Sequence, residues 1–290
     1  MLDFNLFAGL LKMNDVLQKV KELENTKYVI DNEIINKLIG KYKIDEIAGS
    51  GLETEKAIRL LNWLSKNTFH NGGMMGNYQG DFEALSLLER SFQTDQEHGL
   101  NCVFLSFVLS SLYLSLGMKA FPIWMMPYSP YDSDNHVVVN VYVSDQKKWI
   151  MVDPSFGAYF TNEDSVILNT LELREELSLQ KKPKLNPEFS YNNTPNEEIK
   201  GMIEYYYSYM AKNSYSFIVN KEIVMKNMYD TNSRYIVPRY YNPKKRELEN
   251  LEFRVREYGE NEWTQDRRRN LRSRKFTLTS FENVYRLDEK

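Results

Sequence analysis

The side chains that most often carry chemistry are scarce in this 290-residue chain, which has one cysteine and three histidines. A single cysteine excludes an intramolecular disulfide and fits a reducing compartment, and these few ligands do not form a zinc pattern. No apolar run reaches the length of a membrane span, and residues 1–5 lack the basic start of a secretory signal. We therefore expect a cytoplasmic protein that contacts no membrane.

An excess of charge of either sign is also missing. The chain has 37 Lys and Arg against 40 Asp and Glu, a net charge of -3, which argues against nucleic acid as the main partner. One local cluster is basic, and it comprises Arg267, Arg268, Arg269, Arg272, Arg274 and Lys275. We interpret it as a solvated turn balanced by Glu260, Glu262 and Asp266, with RNA or phosphate binding as the alternative.

The only cysteine, Cys102, precedes the most apolar stretch of the chain, residues 103–116. Apolar residues cover every face of the predicted helix, which is typical of the buried centre of a domain, and Gly117 is a natural end for it. The positive end of the helix dipole favours a thiolate at Cys102, and the thiolate is the reactive form. A lone cysteine can equally be a small buried hydrophobe, so a catalytic interpretation needs partners.

Two stretches read clearly as β-strands, residues 136–143 and 149–153. If Ser144-Asp145 are the two central residues of the turn between them, His136 falls directly opposite Asp153 on the same face. The other face then pairs apolar residues, Val139 with Ile150 and Val137 with Val152. The sequence therefore predicts a hairpin that places an imidazole against a carboxylate.

Cys102, His136 and Asp153 are the residue types of a thiol-nucleophile triad. The carboxylate would orient the imidazole and stabilise the imidazolium that forms when the ring takes the thiol proton. Each residue has a plainer interpretation, since His136 could be an ordinary strand histidine and Asp153, before Pro154, a turn residue. We prefer the triad because all three occur in a consistent arrangement.

An acyl-transfer site also needs hydrogen-bond donors for the developing oxyanion. The backbone N–H of Cys102 is the natural first donor, and Gln96, six residues earlier, is the candidate for the second. Gln93 or a backbone group could serve instead, and Gln96 could simply be a surface residue. His70 and His98 receive no role from the sequence.

Several motifs around these residues resemble the transglutaminase-like domain. They are Gly-Leu-Asn-Cys102 at the start of the apolar helix, Gly117-Met118-Lys119-Ala120 after it, Asn135-His136 at the start of a valine-rich strand, and Trp149-Ile150-Met151-Val152-Asp153-Pro154-Ser155. The superfamily includes transglutaminases, peptide N-glycanases and many bacterial proteins of unknown activity. The resemblance covers about residues 54–178 and implies a papain-like fold with a Cys-His-Asp triad.

The resemblance also implies an activity. We expect cysteine-dependent acyl transfer or hydrolysis on an amide or ester, through a thioester on Cys102, with a peptide, protein or small molecule as acyl donor and without metal or organic cofactor. Val103 replaces the Trp of the protein-crosslinking members, and Phe121 stands where many relatives carry Arg, so protein crosslinking is not expected. The alternative is an inactive domain that binds a peptide or partner protein in the old cleft.

The whole chain reads as an α+β protein of the papain/transglutaminase-like type, with a central helix packed on an antiparallel sheet. We expect an N-terminal helical segment over 1–53, the catalytic core over 54–180 and a C-terminal extension of one helix plus strands over 181–290. One of those strands is predicted at 251–258. The glycine-rich stretch 70–80 is predicted to be a loop at the rim of the site.

Overall fold

A computed structural model describes residues 2–20, 25–73, 82–92, 95–195, 197–226 and 232–287. Within these ranges the chain is α+β, as the sequence predicts, with eleven helices and one six-stranded sheet that is mixed and mostly antiparallel. None of the helices in these ranges combines the length and the hydropathy that crossing a bilayer requires. Much of the predicted loop at 70–80 lies outside the described residues.

The described residues form eleven helices and ten strands. The helices are α1 (Phe4–Met13), α2 (Asn32–Tyr42), α3 (Ile44–Ala48), α4 (Glu53–Asn67), α5 (Ala84–Ser91), α6 (Cys102–Ser115), α7 (Thr170–Ser178), α8 (Ile199–Asn213), α9 (Pro243–Tyr258), α10 (Glu262–Ser273) and α11 (Phe281–Val284). The strands are β1 (Lys27–Val29), β2 (Ala120–Met126), β3 (His136–Val143), β4 (Lys148–Val152), β5 (Phe160–Thr161), β6 (Lys184–Leu185), β7 (Ser216–Asn220), β8 (Glu222–Val224), β9 (Ser233–Ile236) and β10 (Thr277–Leu278).

The main sheet joins the predicted core to the predicted extension. Its strand order is β10-β9-β7-β2-β3-β4, so the extension supplies three strands beside the three of the core. β7 pairs with β2 over Trp124–Met126, antiparallel, and only the pair formed by β10 and β9 is parallel among these described strands. The N-terminal segment reaches the extension as well, because β1 pairs with β8.

The central helix α6 has the predicted character. Twelve of its fourteen residues are buried, from Phe104 to Ser115, and the helix packs against β2 and β3. The Asn101 side chain caps the first turn by accepting the Phe104 N–H at 3.0 Å, and Gly117 follows the last turn with a positive φ of 76°. A helix surrounded by apolar contacts on all sides fixes the position of Cys102 at its tip.

The hairpin formed by β3 and β4 has a different register from the predicted one. Val143 pairs with Lys148 rather than with Gln146, and Val139 pairs with Val152 rather than with Ile150. The loop has four residues, and Lys147 adopts a positive φ of 50°. Asp153, one residue beyond β4, is therefore level with Val138. The prediction that His136 lies directly opposite Asp153 is wrong by two residues.

The tip of this hairpin explains the longer loop, because it binds the start of α4. The Asp145 carboxylate accepts the Thr54 N–H at 3.0 Å and the Thr54 hydroxyl at 2.7 Å, and Glu53 accepts the Ser144 N–H at 2.6 Å. These tertiary contacts hold Asp145 as a cap and exclude it from a two-residue turn. A shift of two residues keeps every side chain on its face, so His136 and Asp153 remain diagonal neighbours.

The strand predicted at 251–258 is wrong, because these residues form the second half of α9. Leu251 and Val255 are one helical turn apart, and alternating apolar residues in this stretch imitate a strand. The deciding signal lies upstream, where Asn242 accepts the Lys245 N–H at 3.1 Å and Pro243 occupies the first turn. The basic cluster that follows is largely helical too, within α10, and Arg268 and Arg269 bind Glu260 and Asp266 as the sequence suggested.

Candidate active site

Cys102 is the first residue of α6 and is partly exposed. Its N–H belongs to the first turn of the helix, where backbone donors have no acceptor within the helix. Two histidines, His136 and His70, act on the thiol and lower its pKa. The helix tip thus presents a reachable sulfur flanked by two imidazoles.

His136 links the thiol to Asp153. Its Nε2 lies 2.6 Å from Asp153 Oδ2, and both side chains are almost fully buried, with 1% and 0% exposed. Because Nε2 is taken by the carboxylate, Nδ1 is the ring nitrogen left to interact with Cys102. The structure therefore brings the three predicted residues together in the order thiol, imidazole, carboxylate.

These contacts change the pKa values of both titrating partners. Burial raises the pKa of the Cys102 thiol, but hydrogen bonds and charge from His136 and His70 outweigh burial and lower it to about 6. Burial lowers the pKa of His136, but Asp153 and Cys102 raise it to about 10. Both directions favour a thiolate–imidazolium pair at neutral pH, which is the reactive state of a cysteine nucleophile.

The Asp153 carboxylate has two further donors besides His136. The Tyr206 hydroxyl donates to Oδ2 at 2.8 Å, and the Ser155 N–H donates to Oδ1 at 2.9 Å. Tyr206 belongs to α8 and is fully buried, with its ring centroid 4.4 Å from that of Phe156 and 5.5 Å from that of Phe160. The carboxylate is thus held from three sides, and this fixes the orientation of His136.

Sequence reasoning gave Tyr206 no role. Its ring packs against Phe156 and Phe160, but its hydroxyl binds the carboxylate of Asp153. A buried tyrosine hydroxyl needs a hydrogen-bond partner, and this requirement was the one available signal. The partner could not be read from the sequence because it lies 53 residues away.

His70 reaches Cys102 through backbone pairing beside the start of α6. The Leu100 N–H donates to the Phe69 carbonyl at 2.9 Å, and the Asn71 N–H donates to the Leu100 carbonyl at 2.8 Å. This close approach needs glycine at position 99, where an added Cβ would lie 2.9 Å from the Phe69 carbonyl oxygen and from the Asn71 Cβ. The loop before α6 therefore carries His70 to the thiol.

The ring of His70 has one occupied nitrogen and one available nitrogen. Nδ1 lies 3.0 Å from the Tyr191 hydroxyl. Nε2 is buried and has no hydrogen-bond partner in the described part of the chain. It is therefore available for a hydrogen bond with a bound group, and the His70 ring lowers the pKa of Cys102.

Gln96, the predicted oxyanion donor, lies in an exposed turn. Its described hydrogen bond is made by the backbone carbonyl, which accepts Asn71 Nδ2 at 2.7 Å. The role of its side chain stays a prediction, with no contact to Cys102 among the described residues. The alternative donor, Gln93, lies outside the described residues.

Comparisons with known proteins do not assign this site to a family. No model of a known protein family matches the chain, and no curated protein matches it either. Among the described residues, no group of three or more His, Cys, Asp or Glu side chains is placed to hold a metal ion. The functional argument therefore depends on the contacts of Cys102 and its neighbours.

Proposed function

We propose that this protein is a cysteine-dependent acyltransferase or hydrolase that acts on an amide or ester. One observation carries the proposal: the buried His136 ring has Nε2 at 2.6 Å from Oδ2 of the buried Asp153 carboxylate, and the same ring lowers the pKa of the partly exposed Cys102 thiol. The pKa of Cys102 at about 6 makes the sulfur a thiolate at neutral pH. Cys102 is the proposed nucleophile, His136 the acid and base, and Asp153 the positioning residue.

The proposed reaction has two balanced halves. The Cys102 thiolate attacks the carbonyl carbon, a C–S bond forms, and the carbonyl electrons move to oxygen. As the tetrahedral intermediate collapses, His136 gives its Nδ1 proton to the leaving amine or alcohol, and a thioester remains. Water or an amine then attacks the thioester, His136 takes a proton from it, and the C–S bond breaks to restore the thiolate.

His70 fits the role of an oxyanion donor in this scheme. If the Tyr191 hydroxyl donates to Nδ1, the resulting tautomer carries its proton on Nε2, the nitrogen without a partner in the described part of the chain. The Cys102 N–H at the tip of α6 supplies a second donor. We assign the oxyanion site to these two groups in preference to Gln96.

The arrangement also supports a papain/transglutaminase-like fold. The proposed nucleophile lies at the tip of α6, His136 begins β3, and Asp153 follows β4, so that one helix and two strands of the core each position one residue. Val103 and Phe121 depart from the residues that the crosslinking members carry. We therefore propose a relative of the transglutaminase-like domain whose acceptor is not a protein lysine.

The test is the pH dependence of Cys102 alkylation by iodoacetamide, which is unambiguous because the chain has one thiol. We expect a midpoint at about pH 6 in the wild type. In His136→Ala the midpoint should rise above about 8.5, the value for an ordinary thiol. His98→Ala is the matched control, since His98 also binds an Asp but lies in the exposed turn, and it should leave the midpoint unchanged.

Two outcomes would contradict the proposal. An unreactive Cys102 in the folded wild type would favour the alternative, an inactive domain that binds a peptide or partner protein. A midpoint that His136→Ala does not move would remove His136 from the site. Circular dichroism of each variant checks that the fold is retained.

A further inference from the structure

A cavity of about 1120 Å³ includes in its lining the chain neighbours of the proposed catalytic pair. They are Val103, which follows Cys102, and Asn135, which precedes His136. Its floor is one face of the sheet, because Trp124 pairs with Ile218 and Ile218 pairs with Tyr235, and all three line the cavity. Helices α9 and α10 supply much of the remaining lining. The volume is slightly above the usual range for small-molecule sites, about 300–1,000 Å³.

The wall of this cavity is basic, although the chain as a whole has a net charge of -3. Seven Lys and Arg residues line it against three Asp and Glu. All three acids already have cationic partners: Asp132 lies 3.0 Å from Lys212 Nζ, Glu247 lies 2.6 Å from Arg267 Nη2, and Glu222 lies 3.3 Å from Lys27 Nζ. Arg254 and Arg274 have no carboxylate partner among the described residues, so their charge is available to a ligand.

Two of the arginines are held by aromatic rings. Arg254 lies 5.6 Å from the Trp263 ring centroid and donates to Asn250 Oδ1 at 3.2 Å, while Arg274 lies 5.8 Å from the Tyr235 ring centroid. An aromatic ring orients a guanidinium group but does not neutralise its charge, so the guanidinium groups of Arg254 and Arg274 can both bind an anion.

Arg246 provides an independent sign of a ligand. It lines the cavity, only 7% of the residue is exposed, and its Nη1 lies 3.4 Å from Glu247 Oε1. Its Nε is buried and has no hydrogen-bond partner in the described part of the chain. A buried guanidinium N–H without an acceptor is costly, and a ligand carboxylate would satisfy it.

We propose that this cavity binds an acidic peptide segment and presents one of its amide or ester groups to Cys102. The proposal deepens the function proposed above and depends on it for the acyl step only. A peptide fits better than a nucleic acid, because the wall alternates cations with three carboxylates and a floor of neutral rings and aliphatic groups. Each carboxylate is paired with a cation, and these pairs interrupt the continuous positive surface that a phosphate backbone needs, whereas spaced Glu and Asp side chains need only separate cations such as Arg254 and Arg274.

Binding can be measured without turnover on Cys102→Ala. The probe is a fluorescein-labelled dodecapeptide that alternates Glu and Ala around one Gln, and its matched versions carry Ser or Lys in place of Glu. By fluorescence anisotropy we expect the acidic peptide to bind at least about tenfold more tightly than either other version. Raising the salt from about 50 mM to about 500 mM should weaken that binding, since it shortens the Debye length.

Charge reversal locates the site. Arg254→Glu with Arg274→Glu should weaken binding of the acidic peptide by at least about tenfold. The control pair is Arg256→Glu with Arg269→Glu, which makes the same change of charge on the same two-helix unit, at exposed residues outside the cavity lining. The control should change binding by less than about twofold.

Three outcomes would overturn the proposal: equal affinity for the three peptides, equal losses in the two double variants, or tighter binding of a twelve-nucleotide single strand than of the acidic peptide. Alkylation separates this proposal from the other one. If the Cys102–His136 pair is reactive but the protein shows no preference for the acidic peptide, the acidic-peptide site is contradicted and the acyl chemistry is not. If the peptide binds but the thiol is inert, the acyl chemistry is contradicted and the peptide site is not.

Discussion

Two histidine–aspartate pairs occur among the described residues, and one of them belongs to the candidate site. His136 Nε2 lies 2.6 Å from Asp153, and His98 Nδ1 lies 2.8 Å from Asp95. The side chains of the first pair are 1% and 0% exposed, whereas those of the second are 25% and 51% exposed. The two pairs therefore have similar N···O distances and the same residue types, but one is buried and the other is exposed to solvent.

The surface pair is a local feature of the loop. Asp95 also accepts the His98 backbone N–H at 2.8 Å, and the two residues are three positions apart. That backbone hydrogen bond, with the His98 ring, lowers the pKa of Asp95. Water screens the pair, and exposed ion pairs contribute little to stability. The pair shapes a turn and has no described link to a nucleophile.

The buried pair is tertiary, since seventeen residues separate its members and each has a further partner. Tyr206 and Ser155 donate hydrogen bonds to the carboxylate, and His136 interacts with Cys102 as well as with Asp153. Low dielectric strengthens each of these interactions. Asp153 therefore raises the pKa of His136, and His136 in turn lowers the pKa of Cys102. The comparison teaches that burial and connection, rather than the His–Asp contact itself, produce a reactive site.

The largest expected effect separates the two aspartates. Asp153→Asn should slow acylation of Cys102 by p-nitrophenyl acetate by about 10⁴-fold, because the amide neither stabilises the imidazolium nor holds the productive tautomer. Asp95→Asn should leave the rate unchanged. The burst of p-nitrophenol measures both, and equal effects would show that the buried pair has no special role.

The next effect separates His70 from His98. His70→Phe should slow acylation by about 10²–10³-fold if its Nε2 binds the oxyanion. Alkylation by iodoacetamide forms no oxyanion, so at a pH above the thiol midpoints of both proteins its rate should change little. His98→Phe should alter neither reaction. A loss of both reactions in parallel would mean that His70 acts only on the thiol.

The third prediction concerns stability against pH. Between about pH 6.5 and 8.5 the folded site carries one proton on His136 and the unfolded chain carries one on Cys102, so the pair contributes no slope. In Cys102→Ala the folded state alone holds a proton, because Asp153 still raises the pKa of His136. The free energy of unfolding should therefore fall by about 1.4 kcal/mol per pH unit as the pH rises above about 6.5, until His136 loses its proton.

Urea unfolding of the wild type, Cys102→Ala and His98→Ala at several pH values measures this difference. The curve for His98→Ala should run parallel to that of the wild type, because the surface pair is screened. A Cys102→Ala curve that also runs parallel to the wild type would show that the thiol and imidazole are neutral in the folded protein.

The smallest effect concerns the donors around the buried pair. Tyr206→Phe removes a hydrogen bond to the Asp153 carboxylate and should cost about 1.5–3 kcal/mol of unfolding free energy. Tyr207→Phe is the matched control, since its hydroxyl donates to the neutral Pro183 carbonyl at 2.6 Å, and it should cost about 0.5–1.5 kcal/mol. Equal costs would mean that Tyr206 does not sense the charge of Asp153.

Several features were determined by the sequence because they depend on neighbouring residues. The apolar run that starts after Cys102 predicts a buried helix with the cysteine at its tip, and Gly117 marks the end of that helix. The alternation along β3 and β4 placed His136 and Asp153 on one face, and the two-residue error of register left that face intact because the side-chain period is two. Local patterns therefore sufficed for the α+β class and for the meeting of the three residues.

Other features were decided by contacts between distant segments. The hairpin register depended on Asp145 binding the start of α4, and the donors to the site came from His70 and Tyr206, in segments far from Cys102 along the chain. The basic wall of the cavity formed when α9 and α10 closed over the sheet. A side chain's periodicity says which face it occupies, but only packing in three dimensions decides what that face meets, because burial and partners are properties of the assembled chain.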